Sequence, residues 1–196
     1  MNWTQTTPNA AIWTVEQLAY ALRIDSDVSS QTEEQDYLND LQAAAVEFAE
    51  TLMGCSLINR TITATYFDRN MPALLNYAYG ASGRHRLTLP RGPIVSISSV
   101  TDAKGLLSST LYDLEGEGCT DLLKIGVGYV APLTVVYVAG FGAAASNVPA
   151  DIRMAIRTHV ATLYSQRASA GDRTISAVPH SLEAFYRSKS RTVCVA

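Results

Sequence analysis

Cysteine is scarce in this chain of 196 residues. Cys55, Cys119 and Cys194 are odd in number, widely spaced and form no C-x-x-C pair. That pattern excludes a disulfide framework and a thiolate metal centre, and leaves thiols suited to a reducing compartment. Histidine is equally sparse, and none of His85, His159 and His180 shares a metal-binding spacing with a second ligand. His159 falls on the apolar side of its segment and reads as a packed core residue. No apolar run approaches the ~20 residues that span a bilayer, so no membrane partner is expected. The start, "MNWTQTTPNAAIW", has neither the basic residues nor the apolar core of a signal peptide. Basic residues are few as well: 15 Lys and Arg stand against 18 Asp and Glu, for a net charge of −3. This balance implies no basic face large enough to hold nucleic acid by counterion release.

The usual chemical signatures are also missing. "GFG" at 140–142 is followed by alanines rather than by G-x-x-G or G-K-[ST], and "GVG" at 126–128 precedes a strand. Neither can gather backbone amides around a phosphate at a helix start. No serine sits in a G-x-S-x-G elbow, and no cysteine has a histidine near it in sequence. No cofactor, metal site or catalytic constellation is expected.

What is present is a globular composition, 47% hydrophobic and 17% charged, of a length that suits one domain. Residues 1–13 read as a loose arm, with Trp3 and Trp13 available to pin it onto a surface. Thr14 followed by Gln17 is a capping box that opens a helix over 14–24, with Leu18 and Leu22 on one face. Ser30 with Glu33 opens a second helix over 30–53, which Gly54 ends. Leu38, Leu41, Ala45, Phe48 and Leu52 form its apolar stripe, and Glu33, Asp36, Asp40, Glu47 and Glu50 fall on the far side. That acidic face is either solvated or aimed at a basic neighbour.

After Gly54 the pattern becomes β-branched and alternating. "SLINRTITATYF", "HRLTLP", "IVSISSVTD", "SSTLYDL", "DLLKIGVG" and "LTVVYVAG" are strand candidates, giving a β-rich insertion over 56–141 of about five or six short strands. The connector "DRNMPALLNYAYGASGR" is long for a hairpin, and its Leu74, Leu75, Tyr77 and Tyr79 are expected to meet another surface. "NVPADIR" then starts a helix over 149–167: Pro149 suits a first helical position and Asp151 complements the dipole. Ile152, Ile156, Val160 and Leu163 form its apolar stripe. Met154, Ala155, Thr158 and Ala161 make the other side small and mildly polar, so this helix is expected to be packed on most sides. Arg153 and Arg157 stand one turn apart on a flank. A short helix over 181–189 and a tail over 190–196 close the chain. The fold class is α+β: a core of about four helices, with the strands inserted between the second and third.

Read together, "TVEQLAYALRID", "GCSLINRT", "LPRGPIVSISSVTD", "LYDL", "VVYVAGFG" and "VPADIRMAIRTHVATLYSQR" follow one another in an order that resembles the tailed-phage head–tail connector family (adaptor, or head-completion, proteins), in its longer form with a β-rich insertion. The resemblance covers roughly residues 14–190. It implies a structural virion protein without catalysis. Such a protein is made in the host cytoplasm and resides in the neck as a ring, expected to be dodecameric. Its implied partners are further copies of itself, the portal protein and the next tail-side protein, a stopper or tail terminator. DNA passes through the channel without sequence-specific binding. A stopper or terminator ring remains the alternative, and a small-ligand module on an α+β scaffold a more distant one.

A ring subunit needs two different, complementary flanks. Glu33, Asp36, Asp40 and Glu47 on one side and Arg153, Arg157 and Arg167 on the other are the candidate pair. The tail residues Arg191, Thr192, Val193, Cys194 and Val195 alternate in a way that suits strand addition to a partner, and are the candidates for docking on the portal.

Overall fold

The computed structural model describes residues 1–5, 11–24, 31–67, 84–115, 122–126, 129–166 and 179–190. The described elements run β1 (Asn2–Gln5), α1 (Val15–Leu22), α2 (Thr32–Met53), β2 (Arg60–Tyr66), β3 (Arg84–Thr88), β4 (Ile94–Asp102), β5 (Gly105–Leu106), β6 (Tyr112–Glu115), β7 (Leu122–Gly126), β8 (Leu133–Ala139), α3 (Ala150–Gln166) and α4 (His180–Ser188). This is the expected α+β order, with strands between the second and third helices. All six strand candidates contain a strand; β1 and β5 were not expected.

The strands form two antiparallel sheets. One has five strands in the order β1-β2-β8-β4-β5 and the other three in the order β3-β7-β6. In β2 and β8 every second residue is buried, and the registers Ile62↔Tyr137, Ala64↔Val135 and Tyr66↔Leu133 stack those residues in rows. Leu87, Leu123 and Ile125 of the smaller sheet complete the same core. The Tyr66 hydroxyl fastens the sheets by donating to the Thr88 carbonyl at 2.9 Å. Asp102 closes the β4–β5 turn: Oδ1 accepts from the Lys104 and Gly105 amides, and Oδ2 from Val130 at 3.0 Å. These bonds, Val130's first, hold its carboxyl below the ordinary carboxylate range.

The helices share a second core, in which Leu18, Ala45, Val46, Ala49, Met53, Ile152, Ile156, Val160, Leu182 and Tyr186 meet. Thr14 and Gln17 form the expected capping box. Gly54 ends α2 in the left-handed region at φ 66°, its N–H bonded to the Glu50 carbonyl. The start of α2 differs from expectation. Gln31 is the N-cap and makes no side-chain cap bond; Ser30, of the expected Ser30–Glu33 box, lies outside the described residues.

The buried face of α2 is also turned by about a quarter of a turn from the predicted stripe. Leu41, Phe48 and Leu52 lie on its flank, while Gln42, Val46, Ala49, Glu50 and Met53 are buried. Two of those are polar with distant partners, which a hydrophobic stripe cannot reveal. Around α3, Ile152, Ile156 and Val160 are buried as expected and Leu163 is half-buried. On the other side Ala155 is buried too, but Met154 (47% exposed) and Thr158 face outward, so that side is only partly packed.

The first residues are not a loose arm. Asn2–Gln5 pair antiparallel with β2, from Asn2↔Thr65 to Gln5↔Ile62, and form the sheet's edge.

Candidate functional site

The feature that organises the molecule is the joint between helical bundle and sheet. Helix α2 ends against it, and two of the quoted stretches, "LPRGPI" and "AGFG", lie in it. The backbone of 55–59 runs between them. Ser56 donates to the Gly92 carbonyl at 2.8 Å, Asn59 to Gly142 at 2.9 Å, Phe141 to Leu57 at 3.2 Å and Gly140 to Pro93 at 2.9 Å. "LPRGPI" and "AGFG" therefore brace the same short segment from two sides. Gly140 sits at φ 150°, and a Cβ there would lie 2.5 Å from the Asn59 nitrogen, so only glycine fits without a shift. The strand–glycine–helix outline is a structural corner.

Charged side chains reinforce the joint. Glu50 Oε1 accepts from Arg60 Nη2 at 2.6 Å and from the Leu57 amide at 2.8 Å. Arg60 also donates to Gln5 Oε1 at 3.1 Å, tying in β1. Arg91 Nη1 donates to the carbonyls of Glu50 and Cys55, capping the C-terminal end of α2 where the dipole is negative. Its guanidinium also lies 5.3 Å from the Trp3 ring centroid. Burial pushes the Glu50 carboxyl above its ordinary value, while the Leu57 amide and the two guanidiniums pull it back. Glu50 thus belongs to the interior and not to the acidic outer face assigned to it from periodicity. The 55–59 segment, Arg60 and Arg91 close over the last turn of α2 on that flank.

Of the remaining acids of that helix, Glu34 is half-buried and accepts from the Tyr164 hydroxyl at 2.8 Å, whereas Glu33, Asp36, Asp40 and Glu47 are exposed. At 100° per residue they fall within an arc of about 60°. None of the four makes an ion pair among the described residues. Helix α3 presents Arg153 and Arg157 in a different way from two free surface chains. Their Cζ atoms lie 5.7 and 5.1 Å from the centroid of the same Trp13 ring. Trp13 Nε1 donates to the Arg153 carbonyl at 3.0 Å. Buried Gln42 fixes the backbone beside it: its Oε1 accepts from the Ile12 and Trp13 amides, and its Nε2 donates to the Trp13 carbonyl. Trp3 and Trp13 do pin the first residues, then, but onto this chain's own sheet and helix.

Arg167, the loop residues Leu74, Leu75, Tyr77 and Tyr79, and the tail residues Arg191, Thr192, Val193, Cys194 and Val195 lie outside the described residues. Sequence reasoning missed Gln42, Arg60 and Arg91 as organising residues. Arg60 and Arg91 had a signal, their places within "GCSLINRT" and "LPRGPI"; Gln42 had none. His159 is buried among Phe48 and Tyr186, with ring centroids 5.3 and 6.1 Å away, and desolvation lowers its pKa. Among the described residues no group of three or more His, Cys, Asp or Glu side chains is placed to hold a metal. No described helix is long and apolar enough to cross a membrane.

No protein-family model matches the chain, and no curated protein matches it significantly. Solved structures do match in fold. A chain from "Neck of empty GTA particle computed with C6 symmetry" is 20% identical, with 95% of each chain covered and a TM-score of 0.68. One from "Virion of native gene transfer agent (GTA) particle" is 19% identical over the same coverage, with a TM-score of 0.64. One from "Neck of native GTA particle computed with C12 symmetry" is 17% identical, again over 95% of each chain, with a TM-score of 0.62. The fold of this protein, over nearly its whole length, is one that occurs in GTA particles.

Proposed function

We propose that this chain is a structural protein of the neck of a tailed-phage-like particle, acting as one subunit of a ring. The observation that carries the reading is the fold match to GTA neck chains over 95% of both partners. The anatomy supports it. "LPRGPI" and "AGFG", two of the stretches that suggest a connector, build the joint between bundle and sheet, and the charged groups Glu50, Arg60 and Arg91 there serve packing. A net charge of −3 suits a channel that passes DNA without holding it.

In its finer form the proposal is a dodecameric ring, in keeping with the C12 symmetry used for one of the neck structures. The ring joins the portal to the next tail-side protein. The tail after Ser190 docks on the portal, and the 68–83 segment, with Leu74, Leu75, Tyr77 and Tyr79, meets a partner.

The test is electron microscopy of particles assembled with the tagged chain, alongside binding of the purified chain to portal-containing heads. The expected result is density for a closed ring directly beneath the portal. Removing 191–196 leaves the subunit folded and abolishes head binding; Ser190, the last residue kept, is itself buried. Finding the chain at the distal end of the neck, with no affinity for heads, would replace this reading with a stopper or terminator ring.

A further inference from the structure

We propose that the arginine pair of α3, braced by Trp13, docks on the acidic outer face of α2 in a second copy of this chain. The inference rests on the ring reading above and names the contact that builds the ring. Arg153 and Arg157 are one turn apart and lie over one indole, which is itself held by the Arg153 carbonyl and by Gln42. The guanidiniums form a fixed cationic ledge, so less freedom is lost when a partner arrives. Neither reaches a carboxylate among the described residues. Among those residues Arg157 Nη2 has only the Met154 sulfur, at 2.9 Å, and Arg153 Nε is buried with no acceptor.

The complement lies on the same molecule, on another flank. The arc of Glu33, Asp36, Asp40 and Glu47 is opposite the face by which α2 enters the bundle core. Asp36 and Asp40 repeat the one-turn step of Arg153 and Arg157, so two helices side by side match charge to charge over a span of about 6 Å. Ala43 and Ala44, exposed between Asp40 and Glu47, keep the ridge low enough for a close approach.

Beside the arginines, exposed Thr158 and Ser165 and half-buried Thr162 donate their hydroxyls to carbonyls of their own helix, at 3.0, 2.8 and 2.9 Å. That face can be covered without stranding a donor. Two unlike, complementary flanks on one subunit are what a head-to-tail contact requires, and such contacts close into rings.

The test is a charge exchange in the full chain. Three variants are compared with wild type: Arg153→Glu with Arg157→Glu, Asp36→Arg with Asp40→Arg, and all four changes together. Self-association is measured by sedimentation velocity at low and moderate salt, and ring occupancy by electron microscopy of particles assembled with each variant. Circular dichroism and melting temperature report folding. The aspartates are exposed, so their exchange tests the contact even if the arginine changes disturb Trp13.

Each single-flank exchange is expected to weaken self-association at least ~10-fold, and the combined exchange to restore most of it, with added salt weakening the wild type. Unchanged assembly in the folded aspartate variant, or no restoration in a folded combined variant, overturns the contact while leaving the neck reading intact. A wild-type chain that forms no oligomer either in solution or in particles overturns it too. Charge-dependent self-association of a chain absent from the neck upholds the contact and removes the neck reading.

Discussion

Glu50 Oε1 and Arg60 Nη2 lie 2.6 Å apart with side chains only 3% and 2% exposed, and they join the last turn of α2 to the first residue of β2. Removing either partner leaves the other charge buried. Glu50→Ala is expected to destabilise the fold by about 3–5 kcal/mol, whereas replacing the pair with leucine and methionine costs much less. Urea unfolding of the two variants measures this. An alanine variant as stable as wild type would show that water enters the joint and solvates Arg60.

Gly140 carries the second prediction. Its φ of 150°, and the 2.5 Å that would separate an added Cβ from the Asn59 nitrogen, make Gly140→Ala both strained and crowded against backbone. The loss is expected to reach about 2 kcal/mol or more. Gly105 is the control: it also has a positive φ, 130°, but nothing lies within 4 Å of an added Cβ. A melting-temperature comparison separates strain, which both variants feel, from collision, which only the first does.

Much of this architecture was legible in the sequence because it is local. The Thr14–Gln17 box, the Gly54 stop and the alternation of β2 and β8 are written in neighbouring residues, and each formed as read. What was not legible depends on partners far along the chain. Strand β1 has four residues and pairs with β2 some sixty positions away, so no local pattern marks it. Glu50 reads as a surface acid until Arg60 and the Leu57 amide fold over it, and Gln42 as a surface amide until the backbone of 12–13 reaches it. The face of α2 was misjudged for that reason: its buried polar residues satisfy tertiary partners. The exposure of Glu33, Asp36, Asp40 and Glu47 followed from helical period alone.

Gln42 gives a third prediction. Its amide satisfies two backbone donors and one carbonyl, with distances of 2.7 to 3.1 Å. Gln42→Leu keeps the volume and strands those groups, at a cost of about 2–3 kcal/mol. It also releases Trp13 from its seat over Arg153 and Arg157. Tryptophan fluorescence should shift to the red in the folded variant, since the backbone beside the indole is no longer held. A spectrum identical to wild type would mean that the Nε1 bond to Arg153 suffices to hold the ring.

The last prediction concerns pH. His159 is buried beside Phe48 and Tyr186, its Nδ1 has no partner among the described residues, and desolvation lowers its pKa. The unfolded chain, with an ordinary histidine near 6.5, then binds a proton more readily than the folded one does. Stability from this group is present above about pH 6.5 and is lost as pH falls toward the depressed folded value. His159→Phe keeps an aromatic ring in the cluster and removes the titration. Between about pH 7 and pH 5 the wild type should lose stability more steeply than this variant, as read by denaturant midpoints at fixed ionic strength. Parallel slopes would show that His159 finds a proton acceptor in the folded protein, and that the pH response arises elsewhere.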